Sequence, residues 1–540
     1  MGPIHSHMKH FNKLFLIAFS FCLLSLQGFS QAADEGLPKD YLSNSFHTGR
    51  RDALRAMMPA NSVAVVFAYP ERLFSNDNNY AYHPSPDLYY FSGYKETSAV
   101  LLIFKEMQHG SDGDYNELFF VQHRDPRQEQ WTGKRLGVEG VKAKLGFTKV
   151  FNSEDFANYA IDLKKFTVVY DNLPDNQGNM KPLYDAFKTK AGVVDIDAGL
   201  FRDMGVIGKY GTPKNIDRIL SFIKPRMDDA AHKNSELLQA FLAKPDSAAL
   251  ATFKAKYSEQ FGGISVYDDA INKLRGVKTP EEMDLVRKAV KISSLAHAEV
   301  MRAINPKISE TEIAGIFLYV HKHYGAEDEG YPPIVGSGPN ACILHYEEDN
   351  VTQVKNQLVL MDVAAEYHGY SADVTRTVPA NGKFTPEQKA IYQIVYDAQE
   401  EVFKLCKAGV PYPDLEKKTH EILTAGLVKL GIIKDEKELG KYYPHGVSHY
   451  LGLDVHDKGE YNTPLQENMV ITVEPGIYIP EGSPCDKKYW NIGVRIEDDV
   501  QIGKDHGTLL SIDAPRKWED VEKTVAEKSI FDLGRFPELK

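Results

Sequence analysis

The stretch LVLMDVAAEYHGYSADVTRT, residues 358 to 377, decides the fold of the second half of this chain. Two apolar segments flank the turn residues Tyr367-His368-Gly369, a pattern that predicts a β-hairpin. If the turn is centred between Tyr367 and His368, Asp362 and Asp373 fall directly opposite each other, with Cβ atoms about 4.5–5.5 Å apart. Two carboxylates that close repel each other unless a cation lies between them. The hairpin therefore predicts a metal site; the alternative, a pair of solvated acids, fits poorly with the apolar strand around Asp362.

Further along the chain, a second apolar strand is also followed directly by a carboxylate. Residues 469 to 473 precede Glu474, and Pro475-Gly476 ends that strand. Arg495 and Glu497 lie two apart in a predicted strand over 493–500, so both project from one face, and Arg495 can orient the carboxylate. The sequence predicts two similar β-units that face each other. Two metal ions about 3.5–4 Å apart fit such a carboxylate cluster.

Three histidines lie in the segment HGVSHYLGLDVHD, residues 445 to 457. A zinc-protease helix would carry Glu directly after its first His, whereas Gly446 stands here, and the glycines indicate loop and strand. We expect one histidine as a ligand and the others free for substrate; histidines without a shared role are the alternative. A ligand set of mostly oxygen with one imidazole favours Mn²⁺ over a structural zinc site.

The chain is long enough for at least two domains, since its 540 residues exceed the size at which one core stops growing. Short apolar runs at residues 63–67, 99–103 and 118–121 predict buried strands of an N-terminal α/β domain, residues 45–225. Residues 226–264 predict a charge-rich helical linker that Pro245-Asp246 interrupts. The second domain, 265–515, contains two predicted helix starts with capping boxes, at Thr279 and Thr385, and a C-terminal tail follows at 516–540.

Charge and cysteine content exclude two classes of protein. The 63 basic and 75 acidic residues give a net charge of -12 without a Lys/Arg run, so nucleic acid is not an expected partner. Cys342, Cys406 and Cys485 imply no disulfide framework, and we expect buried free thiols.

The N-terminus predicts export. MGPIHSH, residues 1–7, looks like an expression-vector remnant. Lys9 and Lys13 then precede an apolar run over 14–26 and the small-residue site Ser30-Gln31-Ala32, the order of a secretory signal. That run of about 13 residues is shorter than the roughly 20 that span a membrane, so no stable membrane anchor is expected. We expect cleavage near Ala32 and a location in the periplasm if the organism is bacterial, or outside the cell otherwise.

Together these motifs resemble the aminopeptidase P branch of the pita-bread metallopeptidases, the group that also contains prolidase and methionine aminopeptidase. The hairpin and the histidine segment are joined, in family order and spacing, by IVGSGPNACILHY (334–346), VEPGIYI (473–479), GVRIEDD (493–499), SPDLYYFSGYKETSAVLLI (85–103) and RDPRQEQWTGKRLG (124–137). The resemblance covers roughly residues 45–503, and 226–263 match poorly. It implies the family's N-terminal α/β domain followed by an α+β pita-bread (creatinase/aminopeptidase-like) catalytic domain.

The resemblance also implies a role for each candidate residue. The residues it places as ligands of two divalent metal ions are Asp362, Asp373, His449, Glu474 and Glu497. It implies that His345 and His456 stabilise the oxyanion at the scissile carbonyl. It also implies that His445, Arg495 and Asp87 bind substrate, with Arg495 and Asp87 as a pair that links the two domains near the site. Trp131 matches a residue that reaches a neighbouring subunit's active site, which implies a homo-oligomer such as a dimer or tetramer. HPSP, residues 83–86, departs from the family pattern at the rim of the substrate site.

The implied activity is removal of the N-terminal residue from peptides with proline at the second position. We expect a hydroxide that bridges two Mn²⁺ ions to attack the carbonyl before proline, with Glu474 accepting the water's proton. A prolidase-like dipeptidase shares every ligand and stays open as an alternative. The intact ligand set disfavours an inactive binding protein and a metal-free hydrolase of the creatinase type. Gly336 and Gly338 suggest a phosphate loop only superficially, since no Rossmann context surrounds them.

Overall fold

The structure is a computed structural model that describes residues 38–110, 113–193 and 196–533. The predicted vector remnant and export signal therefore lie outside the described residues. A first unit ends at Ser43, and its described residues, 38–43, form no helix or strand. The chain from Asn44 onward forms a second unit. Within the described ranges, no helix combines the length and the apolar character that crossing a membrane requires.

A mixed five-stranded sheet organises the first half of the second unit. The strands of this half are β1 (Ser62–Phe67), β2 (Leu73–Ser75), β3 (Asn78–Asn79), β4 (Val100–Gly110), β5 (Gly113–Val121), β6 (Val150–Asn152) and β7 (Thr167–Tyr170). The sheet order is β6-β5-β4-β1-β7, in which β1 is antiparallel to β4 and parallel to β7. The apolar residues predicted as strands are buried in β1, β4 and β5, which confirms the α/β prediction.

Helices cover this sheet and lead into the second half. They are α1 (Asn44–Met57), α2 (Pro86–Ser92), α3 (Pro126–Thr132), α4 (Gly137–Leu145), α5 (Lys181–Ala191), α6 (Ala198–Gly205), α7 (Ile216–Ile223), α8 (Ala230–Asn234), α9 (Glu236–Ala243) and α10 (Ser247–Gly276). The predicted interruption at Pro245-Asp246 is present, because the Asp246 side chain caps α10 by accepting from the amides of Ala248 and Ala249. The 30-residue helix α10 continues through residue 265, so the boundary predicted there falls inside a helix.

The second half combines long helices with short antiparallel sheets. Its helices are α11 (Pro280–Ala303), α12 (Glu310–His323), α13 (Pro386–Phe403), α14 (Pro413–Lys429) and α15 (Trp518–Val525). Its strands are β8 (Asp328–Glu329), β9 (Ile334–Ser337), β10 (Leu358–Asp362), β11 (Ala365–Tyr367), β12 (Tyr370–Ser371), β13 (Thr375–Pro379), β14 (Val470–Val473), β15 (Gly476–Ile479), β16 (Ile492–Arg495), β17 (Asp498–Gln501) and β18 (Thr508–Leu509). The sheets are β13-β10-β9, β12-β11-β8, β14-β17-β18 and β15-β16. One apolar core joins α11–α14 to β9, β10, β13, β15 and β16, as an α+β domain requires.

The hairpin predicted at 358–377 forms, but its turn lies one residue later than expected. β11 and β12 pair Tyr367 with Tyr370, so the turn consists of His368 and Gly369. Both turn residues are left-handed, with φ of 51° and 86°, as a two-residue type I′ turn requires. Glycine adopts this conformation without steric cost, and its place as the second turn residue sets the centre between His368 and Gly369.

This shift changes the partner of the first carboxylate. Asp362 lies opposite Thr375, so the predicted direct opposition of Asp362 and Asp373 is wrong. Moving the turn centre by one residue moves every cross-strand partner by two. Asp373 stays near Asp362 as a diagonal neighbour, within reach of a shared ligand.

The second β-unit also differs from its prediction. The expected single strand over 493–500 is divided into β16 and β17, with Ile496 and Glu497 between them. The last residue pair of β14 and β17 is Val473 with Asp498. Just beyond this pair lie Glu474, which follows β14, and Glu497, which precedes β17. The amide of Glu497 donates to the carbonyl of Thr375 at 3.1 Å, so the two β-units do face each other, as predicted.

Three smaller predictions have mixed outcomes. Both capping boxes are present, at Thr279 and Thr385. The predicted tail instead contributes α15, in which Val521 is fully buried in the core. The three cysteines are free, but only Cys406 is buried, while the other two are partly exposed.

Candidate metal centre

One cavity of about 400 Å³ brings the five predicted ligands together. They are Asp362, Asp373, His449, Glu474 and Glu497. Three of the four carboxylates lie at a strand end or directly beside one: β10 ends at Asp362, β14 ends just before Glu474, and β17 begins just after Glu497. The fourth, Asp373, lies in the short connection between β12 and β13. Where a strand ends, a side chain is free to turn into the space between the two β-units.

A tyrosine hydroxyl joins the two carboxylates of the hairpin. The Oη atom of Tyr331 lies 2.5 Å from Oδ1 of Asp362 and 2.8 Å from Oδ1 of Asp373. One hydroxyl carries one proton, so it donates to only one carboxylate at a time. One of the two carboxylates therefore receives no hydrogen bond from Tyr331, and a cation can balance its negative charge.

The imidazole of His449 presents its Nε2 atom to the carboxylates. Its Nδ1 donates to the backbone carbonyl of Tyr450 at 3.0 Å. Nε2 lies 3.3 Å from Oδ2 of Asp373 and 3.4 Å from Oε1 of Glu474. Burial lowers the pKa of His449, but the hydrogen bond with Asp373 and the charge of Glu474 outweigh it and raise the pKa to about 9. Nε2 therefore carries a proton when no metal is bound, and a divalent cation can take that proton's place.

The two glutamates of the cavity resist ionisation. Burial raises the pKa of Glu474 to about 7, with His449 opposing the shift and Asp373 adding to it. Burial, Asp373 and Glu474 together raise the pKa of Glu497 well above its ordinary value. Ligand atoms of Asp373, His449 and Glu497 lie within 4.8 Å of one another. A set of one imidazole nitrogen and several carboxylate oxygens, crowded at this spacing, fits divalent metal ions.

Three further histidines line the same cavity. The ring of His456 lies 4.3 Å from that of His449, edge to face, and burial lowers the pKa of His456 to about 4. His445 donates from Nδ1 to the carbonyl of Gly446, and its Nε2 lies 2.8 Å from Oη of Tyr478. Burial, followed by the charge of Arg495, lowers the pKa of His445 to about 4. His345 is exposed to solvent at the cavity wall.

Arg495 orients the centre, but it does not pair with Asp87 as expected. Its Nη2 donates to Oδ2 of Asp362 at 2.7 Å and its Nη1 to Oη of Tyr478 at 2.9 Å. Asp87 instead accepts from Nη1 of Arg275 at 2.8 Å. The reason is placement: Asp87, in the first turn of α2, faces α10, whereas Arg495 faces the metal cavity. The predicted pair of Arg495 with Asp87 is therefore wrong.

Two residues singled out in the first half do not line this cavity. The surface of Trp131, on α3, is 89% exposed. His83, in the HPSP segment, lies 2.8 Å from Oε2 of Glu366 on the hairpin and belongs to a second cavity of about 250 Å³. HPSP therefore contacts the catalytic half outside the metal cavity.

Sequence reasoning missed several residues of the site. Tyr331 is one, because it lies 31 residues from Asp362 in a segment without a pattern of its own. Asp499 is another: it is fully buried and accepts from the amide of Asp373 at 3.1 Å. Thr375 donates to Oε2 of Glu497 at 2.6 Å. The sequence contained one indication for Asp499: it is an acidic residue in a predicted strand, two positions after Glu497 in GVRIEDD.

The chain is similar to proteins of known family over nearly its whole length. Residues 284–504 match Metallopeptidase family M24, and residues 47–170 match Aminopeptidase P, N-terminal domain. The Xaa-Pro aminopeptidase of Escherichia coli (strain K12) is 32% identical over 485 residues, which are 88% of this chain and 96% of that protein. The structure of aminopeptidase P from E. coli with the inhibitor Pro-Leu has a TM-score of 0.69 at 29% identity, covering 90% of this chain and 98% of its own. Pseudomonas aeruginosa aminopeptidase PepP has a TM-score of 0.69 at 29% identity, covering 90% and 99%. These likenesses confirm the predicted two-domain architecture with a pita-bread catalytic domain.

Proposed function

The chain belongs to metallopeptidase family M24, and on that premise we propose that it is a metal-dependent aminopeptidase that removes the first residue of peptides with proline at the second position. The observation that carries this function is one cavity in which four carboxylates and His449 meet three further histidines. The carboxylates would hold divalent cations, and His456, which is neutral because burial lowers its pKa to about 4, offers a donor beside them. Relatives at 32% and 30% identity over 88% of the chain are named Xaa-Pro aminopeptidase.

The residues of the chain divide the chemistry between them. The five ligands would hold divalent ions, which would supply a water of lowered pKa for attack on a carbonyl at neutral pH. Glu474, whose carboxylate lines the cavity beside His449, would accept the proton of that water. His456 is neutral at pH 7 because its pKa is about 4, and it donates to the carbonyl oxygen as negative charge develops there, together with His345. The proline nitrogen takes up a proton as it leaves.

Substrate orientation falls to His445. The contacts with Gly446 and Tyr478 hold its ring in one orientation. Tyr478 in turn accepts from Arg495, which donates to Asp362. This series of hydrogen bonds ties a substrate-binding histidine to a metal ligand, so the two are set together before substrate arrives.

Manganese is the metal proposed for this centre. The ligands are four carboxylates and one imidazole, and no cysteine is among the residues lining the cavity. Such hard oxygen ligands suit Mn²⁺. The metal-stripped protein should regain the highest turnover with Mn²⁺ at two ions per chain, measured against Zn²⁺, Co²⁺ and Mg²⁺. Higher turnover with another of these ions, at equal occupancy, would replace manganese in the proposal.

A homo-oligomer is proposed from Trp131. An aromatic side chain that is 89% exposed suits burial against another copy of the chain. Light scattering should give a mass of two or four chains of 60.7 kDa. A single-chain mass across the working concentration range would contradict this.

Export is proposed from the sequence of residues 9–32. N-terminal sequencing of the protein recovered from cells should begin near Ala32, in the periplasmic or secreted fraction. An uncleaved N-terminus in the cytosolic fraction would contradict export.

A comparison of peptide lengths tests the function. The Mn²⁺-loaded protein is given an Xaa-Pro dipeptide and an Xaa-Pro tripeptide, with the Glu474→Gln variant as the matched inactive control. Release of the first residue from the tripeptide, lost in the variant, supports the aminopeptidase. Cleavage confined to the dipeptide would instead identify a prolidase-like dipeptidase, and cleavage of neither peptide would favour a binding protein.

A further inference from the structure

A single buried arginine joins the first half of the chain to the loop that carries His456. Arg275, near the end of α10, is 2% exposed. Its Nη1 donates to Asp87 on α2 at 2.8 Å, and its Nη2 donates to Oδ2 of Asp454 at 2.6 Å and to Asp457. One guanidinium thus holds a residue of the first half and two residues that flank His456.

Backbone hydrogen bonds hold the two ends of this loop more than the residues between them, which include His456. Residues 451–457 form no helix or strand. Four backbone bonds involve it, and they lie mainly at its two ends. The amides of Leu451 and Asp457 donate to the carbonyls of Val470 and Tyr450, the amide of Gly452 donates to the carbonyl of Asp454, and the carbonyl of Gly452 accepts from the amide of Ser371. Lys278 adds a contact at 3.0 Å to the second carboxylate oxygen of Asp457. The side chain of Asp457 is 1% exposed, and its carboxylate is held by these two cations and by the amide of Lys458, which donates to Oδ1 at 2.8 Å.

We infer that Arg275 is a positioning residue that sets His456 against the metal centre, and that its bond to Asp87 makes this setting depend on the N-terminal half. The inference deepens the proposed function and rests on it for the role of His456. Buried ion pairs contribute little net stability, because removing the charges from water offsets their attraction. What a planar guanidinium adds is geometry, since its fixed fork of donors holds two carboxylates in defined directions.

Two substitutions separate positioning from simple stabilisation. Arg275→Lys keeps the charge but loses the fork, and Asp454→Asn weakens one loop contact at a side chain that is 38% exposed. Both should lower kcat about tenfold for an Xaa-Pro tripeptide, with metal content unchanged and KM within about twofold, as for other outer partners of an active site. Arg51→Lys is the matched control, because Arg51 is also buried and bound to an acid, Glu117, but within the N-terminal half.

A double-mutant cycle provides the decisive measurement. If Arg275 acts through His456, Arg275→Lys should cause no further loss of kcat in a His456→Gln background. Additive losses, or losses equal to those of Arg51→Lys, would overturn the inference. If wild-type protein cleaves no Xaa-Pro peptide, the proposed function fails, and hydrogen exchange then tests the positioning alone. Arg275→Lys or Asp454→Asn should speed exchange in residues 451–458 more than Arg51→Lys does, and equal rates would overturn it.

Discussion

The Nε2 atom of His449 lies 3.3 Å from Oδ2 of Asp373, across the gap between the two β-units. A neutral imidazole whose Nδ1 is already a donor has only a lone pair to offer at Nε2, and a carboxylate has only lone pairs as well. A proton or a metal ion must therefore lie between these atoms. The same site is thus an ion pair without metal and a coordination site with it, and the first two predictions follow from this exchange.

Loss of one carboxylate ligand should empty the centre. Glu497→Gln keeps the size of the side chain but removes a buried charge that the cations need, so bound metal should fall below two ions per chain and turnover should fall about 100-fold or more. Elemental analysis and steady-state kinetics measure both. Glu366→Gln is the control, because Glu366 is also a buried acid, but it lies on the 358–377 hairpin and contacts His83 outside the metal cavity. Wild-type turnover of Glu497→Gln after complete removal of metal would show that the centre is not dinuclear.

The metal-free protein should lose stability as pH rises. Folding raises the pKa of Glu474 from 4.5 to about 7 and that of His449 from 6.5 to about 9. For both groups the folded state binds more protons than the unfolded state between these values, so stability falls as pH increases from about 5 to about 9. Each unit of pKa difference is worth about 1.4 kcal/mol. Because the two groups are in contact and share one site, we count the shift of only one of them and expect a loss of roughly 3 kcal/mol.

Urea unfolding of EDTA-treated protein measures this pH dependence, with the Mn²⁺-loaded protein as the comparison. The metal replaces the bound protons, so the stabilisation by Mn²⁺ should grow with pH. A metal-free protein whose stability rises over this range would contradict the pKa shifts on which the prediction rests.

His456 should act on turnover without holding metal. His456→Gln removes a neutral donor near the reacting carbonyl, and loss of one such donor costs about 100- to 1000-fold in kcat. Metal content should remain at the wild-type value. His83→Gln is a control histidine, since His83 lines the other cavity, and it should keep its turnover. Loss of metal from His456→Gln would reassign this residue as a ligand.

Glu310 should hold the loop that carries His345. The Glu310 carboxylate is fully buried: Oε1 accepts from the amide and hydroxyl of Ser337, and Oε2 accepts from the hydroxyl of Tyr346 and the amide of Val351. Glu310→Gln turns one acceptor oxygen into a donor that faces other donors. The expected cost is about 2–3 kcal/mol in unfolding free energy, with a fall in kcat because Tyr346 adjoins His345.

Urea denaturation and kinetics test this role together. Glu312→Gln, on the exposed face of the same helix, should change neither quantity. If Glu310→Gln matched Glu312→Gln in both measurements, the Glu310 contacts would not be what holds this loop.

The hairpin shows which features of the fold a local sequence pattern can predict and which it cannot. The apolar runs and the turn residues predict two strands, but the centre of the turn depends on which two residues take left-handed conformations. His368 and Gly369 do so, which moved the partner of Asp362 to Thr375. The metal site survived this error, because diagonal neighbours in a sheet are still close enough to share a cation.

The sequence by itself determined the strands that end at Asp362 and before Glu474, the two capping boxes and the chemical character of the centre, because each depends on residues adjacent in the chain or on a known family order. Only the tertiary structure decided which distant groups complete that centre. Tyr331 reaches across 31 residues to Asp362, and Arg275 reaches across 188 residues to Asp87 and 179 to Asp454. Such contacts have no repeating pattern in the sequence, because they form only when distant segments pack together. A buried charge or hydroxyl then pairs with the polar group that this packing places beside it.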